Sequence, residues 1–424
     1  MALTEDGYIE RLIDKTISQH LEVFGAISIE GPKWCGKTWT AKNHANSVVL
    51  LDDEKEYEKA KLDLDLVLHK TYPQLIDEWQ EVPEIWDKVR REVDSENKKG
   101  IYILTGSTKL KRKESKEKIH HSGAGRIVKL FMHPMSLYES GDSTGEASIM
   151  DMYNDTQKNI SIKNIPVTEI VKLIIRGGWP ANIHIKSDNY SLIPKGYITS
   201  ILNDESEDVK FDKRKMGMLL RSLARNETTI VTNKTILNDI INYESDKEYL
   251  ASYNTLIDYL DILERLHIIE NQDSYSSNYV SPKRVGKLSK RHFTDPSLSC
   301  AILNLTEEKL LDDVLTLGFM YEALVERDLR IYMEFLGGSL FHFRDNVTGD
   351  EVDAILEFSD GEYAAIEIKL GRKEIDDAKK SLLKYYNLTI KKPKFMAIIC
   401  GTVDMVVKDK ETGIYILPIT ALKP

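Results

Sequence analysis

The chain has 424 residues, 30% of them charged and 42% hydrophobic, with a net charge of −10. At about 150 residues per domain this is length for roughly three domains, with the hydrophobic share of a folded protein. The acidic balance argues against a nucleic-acid coat protein or a membrane-surface binder, whose footprint is basic, although it leaves room for a local basic face. In chain order, residues 1–150 alternate short apolar segments, AISIE (26–30), SVVLLD (47–52), IYILTG (101–106) and IVKLF (127–131), with helical stretches. That alternation predicts a parallel α/β sheet. A polar stretch at 140–159 reads as a domain boundary, 165–309 as mostly helical, and 310–424 as a helix followed by strands with turn signals.

The first chemical signal is Gly31-Pro32-Lys33-Trp34-Cys35-Gly36-Lys37-Thr38, followed by Trp39, which matches G-x-x-x-x-G-K-[ST] between a strand and a helix. Glycines let backbone N–H groups converge on phosphates, and the helix N-terminus adds partial positive charge. Lys37 is placed to reach the β/γ-phosphates and Thr38 to ligate Mg²⁺. Downstream, Asp77 and Glu78 end a short apolar segment. Asp77 suits the shell of the Mg²⁺ and Glu78 a base that orients the attacking water. Thr105-Gly106-Ser107 brings small polar groups beside the nucleotide, with Ser107 as the candidate contact. Arg126 is a candidate to stabilise γ-phosphate charge, with a surface ion pair as the equally weighted reading.

LIDEWQEVPEIWDKVRREVD (75–94), LTGS (104–107) and GRIVKLFMHPMSLYE (125–139) together resemble the prokaryotic AAA-type ATPases of the archaeal-ATPase group. The resembling features run in order: P-loop, Asp-Glu-x-Gln, Thr-Gly-Ser, Gly-Arg, Pro-x-Ser-x-x-Glu. The chain departs from that group by carrying Trp34-Cys35 where Gln-Val is usual, which leaves the phosphate ligands intact. The resemblance implies ATP as the nucleotide.

In the middle segment, 252–266 places Leu256, Leu260, Leu263 and Leu266 on one helical face. A short apolar strand at 267–269, a polar loop and Tyr279-Val280 follow. The resemblance implies a winged helix here. Asp258 and Asp261 on the outward face are poor for reading DNA. Basic groups on either side (Lys210, Lys213, Arg214, Lys215, Arg221, Arg225; Lys283, Arg284, Lys287, Lys290, Arg291) could track a phosphate backbone. A solvated interdomain module weighs about evenly against DNA contact.

The second chemical site lies near the end. Asp353 falls on one expected strand, and Glu367 and Lys369 share a face of the next, with Ile366, Ile368 and Leu370 toward the core. A hairpin would bring the three together. Two carboxylates suit Mg²⁺ or Mn²⁺, and a lysine beside them can activate water or stabilise developing charge. The pattern resembles the PD-(D/E)XK nuclease superfamily, which implies a further glutamate from the preceding helix. Glu322 is the choice and Glu326 the substitute. The competing reading is a solvated hairpin face. His120, His121 and His133 have no second ligand cluster at metal-site spacing, so they read as loop histidines.

The expected architecture is therefore α/β: a P-loop NTPase parallel sheet (1–150), a helical winged-helix domain (160–305) and an α/β PD-(D/E)XK nuclease-like domain (310–424). The expected function is an ATPase whose nucleotide state controls a nuclease-like, DNA-directed module. The alternative is a non-cleaving switch whose C-terminal domain binds DNA or a protein. Expected partners are ATP, DNA, and a second copy or a protein. The three odd cysteines form no disulfide framework, no run approaches the ~18 apolar residues of a membrane span, and the N-terminus lacks a signal pattern. The expectation is cytoplasmic, without a membrane.

Overall fold

The computed structural model describes residues 3–106, 123–163, 165–185, 189–203, 211–242, 252–276, 289–345 and 348–424. Two compact units make up the chain. The first is built on residues 1–134 with 204–211 and 261–268, and the second on the remainder.

In the first unit the order is α1 (Leu12–Val23), β1 (Ala26–Glu30), α2 (Lys37–His44), β2 (Ser47–Leu50), α3 (Glu54–Leu62), β3 (Gln74–Asp77), α4 (Glu84–Glu96), β4 (Tyr102–Thr105) and β5 (Ile127–Phe131). The strands form one parallel sheet in the order β2-β3-β4-β1-β5. Both faces are covered, so the strands read as near-continuous apolar runs. Ile27, Ile29, Leu75 and Ile103 point into one core, while Ala26, Ile76 and Leu104 meet Trp79, Ile85, Trp86 and Val89 in the other. The segment 47–52 ends as strand at Leu50 because Asp53 caps α3, its carboxylate accepting from the Lys55 and Glu56 N–H groups.

The second unit contains β6 (Ala147–Ser148), α5 (Ile149–Tyr153), β7 (Ile160–Ser161), α6 (Val167–Arg176), α7 (Pro180–Ile183), α8 (Leu192–Leu202), α9 (Lys213–Arg225) and α10 (Asn233–Asn242). After α11 (Tyr253–Arg265), whose residues up to Leu260 are assigned to the second unit and the rest to the first, come β8 (Ile269–Gln272), β9 (Lys290–Phe293), α12 (Pro296–Leu303), α13 (Glu307–Asp312) and α14 (Val314–Phe335). Then follow β10 (Ser339–Arg344), β11 (Glu351–Glu357), β12 (Tyr363–Lys369), α15 (Ile375–Leu388), β13 (Phe395–Cys400), β14 (Met405–Lys408), β15 (Tyr415–Leu417) and β16 (Leu422–Lys423). Seven strands form a mixed sheet in the order β10-β11-β12-β13-β15-β14-β7, and β8 pairs antiparallel with β9.

Two sequence expectations change here. The polar stretch 140–159 is not the boundary, which falls between Pro134 and Met135: β6 pairs with β16, and β7 pairs with β14 at the sheet edge, so this segment is part of the second unit. The strand expected at 267–269 starts at Ile269, because His267 adopts a left-handed backbone (φ +55°) and turns the chain first. Tyr279-Val280 lies outside the described residues.

A buried charge network ties the second unit together. The Arg327 guanidinium donates to Asp328 (2.9 and 2.6 Å) and Asp295 (2.8 Å). Asp328 also accepts from the Leu137 N–H (2.9 Å), and Asp295 from the Gly178 N–H (2.9 Å). All three charged groups are buried, which is tolerable only because every one is paired.

Candidate functional site

The glycine loop leaves the C-terminal end of β1. Gly31 sits at φ +150°, and a Cβ there would lie 2.2 Å from the Met132 carbonyl oxygen, so no other residue fits without moving the neighbouring strand end. Gly36 (φ +103°) then turns the chain into α2, whose first residues are Lys37 and Thr38. The Lys37 ammonium donates to the carbonyls of Gly31 (3.0 Å) and Pro32 (2.8 Å). Trp34 and Trp39 are exposed beside the loop, Pro32 and Cys35 are buried, and Lys33 is half-buried.

Asp77 ends β3 and Thr105 ends β4, the strand between β3 and β1. The Thr38 hydroxyl lies 3.0 and 3.2 Å from the two Asp77 carboxylate oxygens, and the Thr105 hydroxyl donates to the same carboxylate. Burial, with the neighbouring Glu78 charge, pushes the Asp77 carboxyl above its usual range despite these donors. Hard oxygens from Thr38 and Asp77 facing each other at this distance fit a Mg²⁺ ion. Glu78 is in a left-handed conformation (φ +52°), and the Gln80 amide donates to its carboxylate. Thus Lys37, Thr38, Asp77 and Glu78 gather at one edge of the sheet.

Three further residues support this edge: Arg11, Asp14 and Thr105. Arg11 is buried ahead of α1 and donates to the carbonyls of Cys35 (2.9 Å) and His133 (2.9 Å), bracing the loop from behind. Asp14 accepts from the Arg11 N–H (2.7 Å), from Tyr8 and from His44 (2.7 Å). No motif marks Arg11. Thr105 was legible only as a small polar residue at a strand end.

Arg126 is not at this edge. It immediately precedes β5, which runs parallel to β1 with Ala26 opposite Ile127, so it sits at the other end of the strands. Five residues at ~3.3 Å each separate it from the loop end of the sheet. The arginine is half-exposed and pairs with Asp94 (2.8 Å), so it cannot stabilise phosphate on its own chain. Ser107, His120 and His121 lie outside the described residues. His133 is buried with its ring against Phe131 (4.5 Å).

The second unit gathers the C-terminal candidates. Asp353 on β11 and Glu367 on β12 flank the paired residues Ala354 and Ile366. The Lys369 ammonium bridges them, 3.0 Å from Asp353 and 2.8 Å from Glu367. Asp353 also accepts from the Ile368 N–H (2.7 Å), and Glu367 from the Ser381 hydroxyl (2.8 Å) on α15. This is no solvated hairpin face: Glu367 is 3% exposed, because α14 and α15 both pack on β12. Burial pushes the Glu367 carboxyl well up, with Asp353 adding to the shift. Burial acts on Asp353 too, but the Lys369 and Lys290 charges outweigh it and hold that carboxyl below its usual range.

Glu322 and Glu326 from α14 face the same cluster, and both are paired with Lys290, at 2.9 and 3.4 Å. Sequence reading put Lys290 on a basic, phosphate-tracking face; instead it is 5% exposed and points inward. Arg291 is likewise engaged, donating to Asn233 (2.6 Å), while Arg225 pairs with Asp239 (2.9 Å). Lys213, Arg214 and Arg221 on α9 keep an outward position. Lys210, Lys283, Arg284 and Lys287 lie outside the described residues. Among the described residues no helix is long and apolar enough to cross a membrane.

Three family models match separate parts of the chain. One, an AAA domain, covers residues 24–141, and the other two, domains of unknown function (DUF8612 and DUF4143), cover 167–309 and 317–422. No curated protein matches by sequence. Among solved structures, the Walker-type ATPase of Pyrococcus abyssi is 14% identical, covering 71% of this chain and 98% of its own, at a TM-score of 0.46. The ADP form of the ORC2 protein of Aeropyrum pernix is 12% identical over 72% and 97%, at 0.31. AMPPCP-bound DnaA from Aquifex aeolicus is 13% identical over 61% and 89%, at 0.28. With its loop, its Asp-Glu strand end and its parallel sheet, the segment 24–141 is a P-loop domain that matches the AAA domain model.

Proposed function

We propose that the chain hydrolyses ATP and that its nucleotide state controls a nuclease-like, DNA-directed module at its C-terminal end. The observation that carries the first half is the facing of Thr38 and Asp77 beside Lys37. In this reading Lys37 exchanges two loop carbonyls for the β- and γ-phosphates. Thr38 and Asp77 hold Mg²⁺, and Glu78, restrained by Gln80, orients the attacking water. The ion, when bound, supplies positive charge to the phosphates. Ser107 and Trp39 are assigned as nucleotide contacts, and Arg126 acts only on the nucleotide of a neighbouring copy. Three parts carry these roles, at 1–150, 160–305 and 310–424 as expected from the sequence except that residues 135–150 fold with the second unit; the middle part is a winged helix whose α9 basic groups meet DNA.

The second half rests on the order α14-β10-β11-β12-α15-β13, with Asp353, Glu367 and Lys369 converging at its centre. That order supports the PD-(D/E)XK reading. Asp353, Glu367 and Glu322 present oxygens suited to Mg²⁺ or Mn²⁺, and Lys369 is placed to steady an attacking water. One observation favours the non-cleaving reading instead: Lys290 already engages Glu322 and Glu326. Labelled single- and double-stranded DNA incubated with ATP and Mg²⁺ or Mn²⁺ separates the two. Cleavage lost in Lys369→Ala, with ATP turnover lost in Lys37→Ala, is the expected outcome. ATP turnover without cleavage under any condition overturns the nuclease in favour of the switch, and absence of ATP turnover overturns both.

A further inference from the structure

The C-terminal cluster holds more acid than its motif requires: Glu322 and Glu326 from α14, Asp353 from β11 and Glu367 from β12. Lys369 answers two of them, bridging Asp353 and Glu367 from within the same strand pair. The other two are answered from outside that sheet. Lys290 is the first residue of β9, and its ammonium lies 2.9 Å from Glu322 and 3.4 Å from Glu326. A buried lysine of this kind persists only if its charge is compensated.

A paired strand presents the ammonium. β9 is registered on β8 with Lys290 opposite Gln272, and the Gln272 amide donates onward to the Phe341 carbonyl (3.0 Å) on β10. A compact cation sits against carboxylate oxygens from a helix facing two further carboxylates. A divalent ion would take the same oxygens at ~2.1 Å, and an ammonium already within bonding distance of them would repel it.

We propose, building on the nuclease-like reading, that Lys290 is a tethered counter-cation that weakens divalent-metal binding at this carboxylate site. Each of the four carboxylates thus has an ammonium partner, Asp353 and Glu367 on Lys369 and Glu322 and Glu326 on Lys290.

The test measures Mn²⁺ binding to the full chain by calorimetry, together with the Mn²⁺-dependent shift in melting temperature. Lys290→Met keeps the apolar stem and removes the charge. Its Mn²⁺ affinity is expected to exceed that of the wild type by about 10- to 100-fold, and Glu367→Gln is expected to cancel the gain. A folded Lys290→Met with wild-type affinity overturns the proposal, and it leaves the nuclease-like reading standing if Glu367→Gln abolishes the wild-type binding. Mn²⁺ binding that Glu367→Gln does not weaken in either background, or no binding by either protein, overturns that reading and the proposal with it. If Lys290→Met does not fold, Lys290→Met combined with Glu326→Gln removes one acid with the lysine, and the same outcomes are read on it.

Discussion

Replacing Thr105 by valine tests the nucleotide edge at a single hydroxyl. Thr105 ends β4 with no exposed surface, between the strand that carries the loop and the strand that carries Asp77. Valine keeps the branched shape and the β-strand preference, so the parallel ladder to Ile29 and Asp77 is undisturbed. What disappears is one hydrogen bond to Asp77, which retains Thr38 at 3.0 and 3.2 Å. A hydrogen bond to a charged acceptor contributes about 1.5–3 kcal/mol. If that support is felt in the transition state, kcat for ATP falls by about 10- to 150-fold. Nucleotide affinity should change little, because Lys37 and the loop N–H groups are untouched. Steady-state phosphate release gives kcat, titration with a fluorescent ATP analogue gives affinity, and circular dichroism checks the fold. A kcat within about twofold of wild type, while Asp77→Asn is inactive, would refute the role given to this bond. So would lost affinity with unchanged kcat.

Three other outcomes follow from the same geometry. Gly31→Ala should abolish nucleotide binding in the analogue titration, since its Cβ would fall 2.2 Å from the Met132 carbonyl oxygen; retained binding would mean the strand end yields. Asp328→Ala strands the buried Arg327 with Asp295 alone and frees the Leu137 N–H, at a cost of about 3–5 kcal/mol, read as a lowered denaturant midpoint. Burial raises Glu227 to about 8, so the folded chain holds a proton that the unfolded chain has released above its ordinary value of 4.5. Stability therefore falls as pH rises from about 4.5 to 8. Glu227→Gln should flatten that slope and be the more stable form at pH 9, measured by urea midpoints across pH; an unchanged slope would contradict the assignment.

The nucleotide edge was legible because its chemistry is contiguous: eight residues from Gly31 to Thr38 carry the loop, and Asp77-Glu78 close an apolar strand. The convergence of Asp353 with Glu367 and Lys369 was also readable, since a hairpin and a period of two fix it. Strand direction was harder to use. Arg126 looked near the phosphates because a motif places it after Gly125, yet a parallel sheet puts the start of a strand at the end away from the loop. Lys290 left no local sign at all, since its partners are 32 and 36 residues away on α14. A lysine in a basic run looks the same whether it faces solvent or a carboxylate. Arg11 was hidden for the same reason: its acceptors are backbone carbonyls, which no side-chain pattern reports.

The two short strands β6 and β7 impose an order on biosynthesis. Ala147 emerges from the ribosome about 275 residues before Leu422, the residue it pairs with. At ~5–20 residues per second that is a wait of roughly 14 to 55 s with unpaired edges. The P-loop sheet can finish while the segment behind it cannot, so the nascent second unit carries open strand edges until residues 405–423 arrive. Chaperone contact during synthesis, and aggregation when synthesis stalls, should concentrate on residues 147–161.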